Sequence, residues 1–179
     1  MRYVAFLRAL NVGGHHVVKM DQLKKLFEGA GFKNVETFIA SGNVIFDAGS
    51  KKPEAIERAI EKQLHAALGH EVHTFVRTCA ELKGIEAHKP FAAKAVEAAL
   101  AFNVALLAAP PDAKAKKALM ALATKLDDFH VNGREIYWLS RAKQSESVIS
   151  NAVFEKTLGC RSTVRGINTI RKMAEKHGS

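Results

Sequence analysis

VETFIASGNVIFD, residues 35–47, reads as two short β-rich stretches, 35–40 and 43–47, separated by Ser41-Gly42, a pair suited to a tight hairpin turn. What flanks this hairpin decides the fold. Upstream, Met20, Leu23, Leu26, Phe27 and Ala30 recur at helical spacing, Asp21 sits where the helix dipole favours an acid, and Gly31 follows as a stop. Before that helix, RYVAFLR at 2–8 is almost continuously apolar, the pattern of a strand in the middle of its sheet. Downstream, Pro53 opens a helix whose Ile56, Ile60, Leu64 and Leu68 form one apolar stripe, with Glu54 and Arg58 paired outside it and Gly69 closing it. Residues 71–77 then alternate Val72, Thr74 and Val76 with His73 and Phe75. Strand, helix, hairpin, helix, strand is the split βαβ order of a ferredoxin-like unit.

The order recurs. After a short helical piece and a break at Lys89-Pro90-Phe91, AFNVALLA at 101–108 is a second strong strand, and Pro110-Pro111-Asp112 starts a helix with Ala115, Leu119, Leu122 and Leu126 on one face. Phe129 and Val131, then Ile136 and Trp138, flank Asn132-Gly133, a strong hairpin signal. Ser150 or Asn151 can cap a helix carrying Val153, Phe154 and Leu158, which Gly159 ends. The last strand, 160–163, is short. Beyond it, Val164, Ile167, Ile170 and Ala174 fall on one side of a helix, with Arg165, Thr169, Lys172 and Lys176 striped on the other and Asn168 beside them. The predicted fold class is therefore α+β, two tandem ferredoxin-like βαββαβ halves with antiparallel sheets, residues 1–91 and 92–179, the second ending on a basic helix. The repeat rests on element order, since no residue-level identity between the halves is evident.

The chain of 179 residues is 47% hydrophobic, enough to bury a core and too much for a disordered ground state. Its first apolar run is broken at Arg8, short of a signal sequence or membrane span, so the expectation is a cytoplasmic protein, neither secreted nor membrane-inserted. Cys79 and Cys160 lie far apart, without the paired spacing of a metal site or redox dithiol. A net charge of +9 favours an anionic partner. Lys156, Arg161, Arg165, Arg171, Lys172 and Lys176 oppose only Glu175 near the C-terminus, although a solvated face is the commoner explanation of such a run.

Topology locates the candidate site better than any motif. In a split βαβ unit the first two strands run the same way, so the first strand-to-helix loop and the hairpin turn emerge at one end of the sheet. That end gathers Arg8, Asn11, Gly13, Gly14 and Lys19 with Ser41, Gly42 and Asn43. Asn-Val-Gly-Gly-His-His lets backbone amides approach a ligand, with Arg8 and Lys19 supplying positive charge, so phosphate is the natural anion. The loop lacks the Lys-Ser/Thr ending of a P-loop and the three-glycine dinucleotide fingerprint, and a turn needing glycine for its backbone angles fits the spacing equally well. No metal site is expected. His70 and His73 would point to opposite faces of a strand, and His15-His16 lack an acid or cysteine at ligand spacing. Asp127, Asp128 and Glu135 flank the second hairpin with no evident partner, and Trp138 is most simply core.

LRALNVGG, VVKMDQLKKLFEGAGF, ASGNVIF, KPF, WLSR, SNAVFEKTLG and TVRGINTIRKM, taken in order from Tyr3 to Met173, resemble a bacterial domain-of-unknown-function family whose members open with L-R-G-I-N-V-G-G. The resemblance implies the same tandem ferredoxin-like fold and supplies no activity. Its pattern falls on Arg8, Asn11, Gly13, Gly14, Ser41, Gly42, Asn43, Ser140, Arg141, Asn151, Glu155, Thr163, Arg165, Asn168 and Thr169. Ala9 stands where the family commonly has glycine, and Arg165-Gly166-Ile167-Asn168 where it tends to have Arg-Asn-Trp-Asn.

The leading expectation is a cofactor-free binding protein for a phosphate-bearing partner, either nucleic acid or a phosphorylated small molecule such as a nucleotide. The glycine loop, the Ser41 turn and the basic last helix would bind it. The alternative is a small enzyme acting on an anionic metabolite, with Arg8, Arg141 and Arg165 as clamps and Ser41 or Asn43 near the chemistry. A third reading is a structural or oligomeric scaffold.

Overall fold

In the computed structural model, which describes residues 1–11, 17–39, 42–49, 51–143, 146 and 148–178, the elements follow the order β1 (Arg2–Arg8), α1 (Met20–Gly29), β2 (Lys33–Thr37), β3 (Asn43–Asp47), α2 (Pro53–Leu68), β4 (His73–Thr78), α3 (Cys79–Ala87), α4 (Ala93–Ala98), β5 (Ala101–Leu107), α5 (Ala113–Ala121), β6 (Asp127–Asn132), β7 (Glu135–Ser140), α6 (Asn151–Leu158), β8 (Ser162–Gly166) and α7 (Ile167–His177). The strands form two four-stranded antiparallel sheets, ordered β2-β3-β1-β4 and β6-β7-β5-β8. This is the tandem ferredoxin-like architecture. Two compact units make up the chain, Met1–Lys83 with Lys176–Ser179, and Gly84–Glu175.

In the first unit β1 is central, and its apolar run follows from being paired on both sides and covered on both faces. Tyr3, Ala5 and Leu7 face the helices with Val44, Phe46 and Val76, while Val4, Phe6, Ile45 and Arg77 are buried on the opposite face. Phe46 centres the helix-side core. Its ring centroid lies 5.9 Å from Tyr3, 5.5 Å from Phe27 and 4.7 Å from Phe32. α2 begins with Pro53 in its first turn and ends at Gly69, whose φ of 78° supplies the left-handed cap. Thr78 and Glu81 form a reciprocal capping box that starts α3: the Glu81 N–H donates to Thr78 Oγ1 at 3.0 Å and the Thr78 N–H to Glu81 Oε2 at 2.8 Å.

The two edge strands of this sheet are finished differently. β4 has a row of outward N–H groups, and α2 supplies acceptors for two of them: Thr74 N–H donates to Glu61 Oε1 and Val76 N–H to Glu57 Oε1, both at 2.9 Å. Glu57 and Glu61 are one helical turn apart, so a single helix face serves alternate residues of the strand. At the other edge, β2 carries a bulge between Lys33 and Glu36, where its register on β3 shifts. Asn34 there has a φ of 49°, and its Nδ2 donates to Asp47 Oδ2 at 2.7 Å. That bond and Arg2, 3.1 Å from Asp47 Oδ1, outweigh the effect of burial and hold the Asp47 carboxyl below its ordinary value.

The second unit repeats these devices. β5 is central, and Ala105, Leu107, Ile136 and Trp138 build the helix-side core with Leu119, Phe154 and Leu158. Trp138 takes the place of Phe46, stacked on Phe154 with centroids 5.2 Å apart and 5.3 Å from Phe129, and its Nε1 donates to Asp127 Oδ1 at 2.9 Å. Asp112 caps α5 through Ala115 N–H, and Ser150 caps α6 through Val153 N–H. The register also exposes an identity that element order conceals. Val4-Ala5-Phe6-Leu7 aligns with Val104-Ala105-Leu106-Leu107, and on the neighbouring edge strands Arg77 lies opposite Val4 as Arg165 lies opposite Val104. Thr74 and Ser162 occupy matching places, and the Ser162 N–H likewise receives a helix carboxylate, Glu155 Oε1 at 3.0 Å.

Several boundaries differ from expectation, β4 among them, which runs His73–Thr78 rather than 71–77. α5 ends at Ala121, so Leu126 lies off the helix and is exposed. β2 stops at Thr37 rather than continuing to Ala40, a residue outside those described. The last strand is longer than 160–163: β8 extends to Gly166, so Val164 and Arg165 belong to a strand rather than to the terminal helix. Pairing with β5 overrides the helical spacing seen in the sequence.

Replacing Glu57 with Ala leaves the Val76 N–H without its acceptor, at a cost of about 2 kcal/mol in a urea unfolding titration. Amide exchange at Val76 accelerates, and Glu57→Gln, which keeps one acceptor, loses less.

A second prediction concerns acid. Burial holds His130 below its ordinary 6.5, and His88, with Nε2 3.1 Å from Nε2 of His130, lowers it further. Burial likewise lowers His177, against a smaller upward pull from Glu36. Folding favours both rings neutral, so their contribution to stability is complete above pH 6.5 and is lost as pH falls through that value and the lowered ones. The urea midpoint should drop on acidification, and His130→Gln and His177→Gln should each make the drop smaller.

Candidate functional site

The two loops of the first unit meet at one end of its sheet. Phe6 of β1 pairs with Asn43 of β3, and the Leu7 N–H donates to the Gly42 carbonyl at 2.8 Å. Gly42 has a φ of 80°, which favours glycine, and a Cβ on it would fit tightly, 3.2 Å from Leu7 Cβ and 3.4 Å from the Leu7 carbonyl. Asn43 is buried, only 1% exposed, and its amide closes the turn by donating to the Phe38 carbonyl at 3.0 Å. Asn11 pins the other loop, its Oδ1 accepting from the Val18 N–H at 2.8 Å. Both asparagine side chains therefore hold backbone.

Arg8, half-buried, ends β1 directly across from His73 of β4, while Lys19 is exposed at the start of α1, where its carbonyl accepts from the Leu23 N–H. His70 reaches the same end, its Nε2 3.2 Å from the Ala9 carbonyl. Glu71 lies 3.7 Å from His73. Gly13, Gly14 and Ser41, with His15 and His16, lie outside the described residues.

The predicted residues of the second unit have other partners. Arg141 Nη2 lies 2.9 Å from Asp128 Oδ2, an ion pair that ties the ends of β6 and β7. The sequence leaves Asp128 without an evident partner and offers Arg141 as an anion clamp, because the pair forms only once the hairpin is in register. Arg165 is on β8, its Nη1 donating to Thr163 Oγ1 at 2.8 Å and the Val164 carbonyl at 3.0 Å, with burial pushing its pKa down to about 10. It is not the first residue of a helical stripe. Asn168 and Thr169 lie in the first turn of α7, where Asn168 Oδ1 accepts from Arg171 at 3.3 Å. Lys176, at the other end of the expected stripe, is 3.6 Å from Glu36.

Three cavities bear on the competing readings. In the first unit, a cleft of about 440 Å³ between α2 and β4 is lined by Arg58, Lys62, His65 and His73 together with Glu61 and Glu71. In the second, one of about 280 Å³ is lined by Asn103, Trp138, Ser140 and Asn151, and another of about 340 Å³ by the Lys89-Pro90-Phe91 segment. None of the three is lined by Arg8, Arg141 or Arg165, so none assembles the clamp set of the enzyme reading. The sequence reading passed over Asn103 and the basic side of α2. Asn103 was visible as the lone polar residue of AFNVALLA; the α2 cleft depends on packing against β4 and left no sequence signal. Among the described residues no three His, Cys, Asp or Glu side chains group as metal ligands, and no helix is long and apolar enough to cross a membrane. Cys79 and Cys160 are free.

Ala9 has a φ of 57°, left-handed backbone that costs an alanine about 1 kcal/mol relative to glycine. This explains why glycine suits the position in the resembling family. Ala9→Gly should raise thermal stability by up to about 1 kcal/mol, less the extra freedom glycine gives the unfolded chain; a lower melting temperature would contradict that conformation.

Comparison with known proteins agrees with the family resemblance and the fold. Residues 1–137 match a family described as a protein of unknown function, DUF1697. A conserved bacterial protein, SP0830 from Streptococcus pneumoniae, has a solved structure that superposes with a TM-score of 0.74 at 18% identity over 97% of each chain, a likeness of fold alone. No curated protein matches. With more than half of its length matched, the chain belongs to the DUF1697 family of proteins of unknown function.

Proposed function

We propose that the protein binds a phosphate-bearing partner, nucleic acid or a nucleotide, at the loop end of its first sheet, in the cytoplasm, where two unpaired cysteines stay reduced. The reading is carried by the backbone bond from Leu7 to Gly42, which brings the loop after β1 to the β2–β3 turn beside Arg8. Lys19, His70 and His73 add donors at that end, with Glu71 and Asp21 as the nearby acids. The pinned loop ends, held by Asn11 and Asn43, reduce the ordering cost of binding. The overall charge of +9 would speed encounter with a polyanion.

Fluorescence anisotropy with labelled RNA and DNA at two salt concentrations tests this. Binding should weaken steeply with salt, and Arg8→Ala or Lys19→Ala should each reduce the slope by about 1 where the side chain contacts a phosphate. Binding insensitive to salt, or unchanged in both variants, would sink the reading.

A further inference from the structure

The Lys89-Pro90-Phe91 break is a motif that the proposed loop site leaves unused. In the second unit it forms one wall of the 340 Å³ cavity, with Phe102, Val96, Glu97 and Arg171 also in the lining. Phe91 and Phe102 are half-buried and meet edge to face, centroids 5.7 Å apart at 72°, so part of each ring's surface is left for a ligand. Pro90 fixes a backbone angle immediately before Phe91, which holds that wall ready without a ligand. Two cations stand among these apolar side chains. Lys89 is exposed and 3.7 Å from Glu86, and Arg171, half-buried on α7, reaches Asn168.

An apolar, aromatic-walled cavity with two cations selects for a molecule with one ring to bury and one compact anionic group. A phosphomonoester carries close to two negative charges at neutral pH and offers three acceptor oxygens, matching an ammonium and a forked guanidinium. The volume is at the small end of ligand pockets, suited to a single ring system rather than to a dinucleotide. Glu97, the one acid in the lining, is placed to accept from a ligand hydroxyl or amino group. We propose that this cavity binds a small aromatic phosphomonoester of the nucleoside monophosphate class, with the ring against Phe91 and Phe102 and the phosphate toward Lys89 and Arg171. None of these residues belongs to the loop site of the first unit, so either assignment can fail without the other.

Calorimetric titration of the full chain with adenosine monophosphate, adenosine and inorganic phosphate is the test. Adenosine monophosphate should bind, with adenosine and phosphate each about tenfold weaker or more, since each lacks one of the two recognised parts. Lys89→Gln and Arg171→Gln should each weaken adenosine monophosphate about tenfold, and Phe91→Leu about fivefold through lost stacking, whereas Lys117→Gln, at an exposed position of α5 outside both sites, should leave it unchanged. Equal affinity for adenosine monophosphate and phosphate, or affinity that survives Lys89→Gln and Phe91→Leu, would overturn the proposal. Affinity lost only in Arg8→Ala would also overturn it, by moving the ligand to the loop site. Should Arg171→Gln fail to fold, the Lys89 and Phe91 variants decide the outcome.

Discussion

A strand hydrogen-bonded on both sides has little freedom in where its neighbours begin and end, and β1 and β5, the first such strand of each sheet, set the frame for the elements that follow. β1 takes β3 on one side and β4 on the other, both antiparallel, which leaves β2 to pair outside β3 and obliges the helices to cover one face. The small side chain of Ala5, fully buried beneath the helices, lets Phe46 and its aromatic neighbours fill the space above the sheet. The same pairing brings the end of β1 against the turn between β2 and β3. The proposed ligand site is thus a by-product of strand direction before it is a matter of side chains.

The second half obeys the same arithmetic with different residues. Ala105 repeats Ala5, Trp138 repeats Phe46, and the arginines opposite Val4 and Val104 sit at matching places on the edge strands. Carboxylates from α2 and α6 reach edge-strand N–H groups in both halves, Glu61 to Thr74 and Glu155 to Ser162. A charge-assisted bond to an edge amide stabilises the strand and also removes a donor that another chain could use. Such coincidences of role survive where sequence similarity has faded, because each answers a backbone requirement rather than a side-chain preference.

Most of this architecture could be read from the chain itself. Period-two and period-3.6 patterns, Gly69 and Gly159 as left-handed caps, and Asp112 and Ser150 as N-caps are local signals, and local signals survive folding. The end of β8 was not legible, because Val164 and Arg165 fit a helical stripe until pairing with β5 claims them. The pairs Arg141 with Asp128 and Trp138 with Asp127 depend on register across a hairpin, which no spacing along the chain encodes. At the candidate site, strand direction predicted which loops would share an end. It did not predict that Asn11 and Asn43 would turn their amides onto backbone, since that choice depends on the shape of loops whose glycines carry no directional signal.

The bulge in β2 has a bearing on how copies of the protein behave toward one another. Asn34 in left-handed backbone, tied to Asp47, breaks the even comb of donors and acceptors along that edge. A second strand laid against it would find its bonds out of step after two or three residues. Sheet growth by successive addition, the route to insoluble fibres, is thereby frustrated at the edge opposite the one that Glu57 and Glu61 guard.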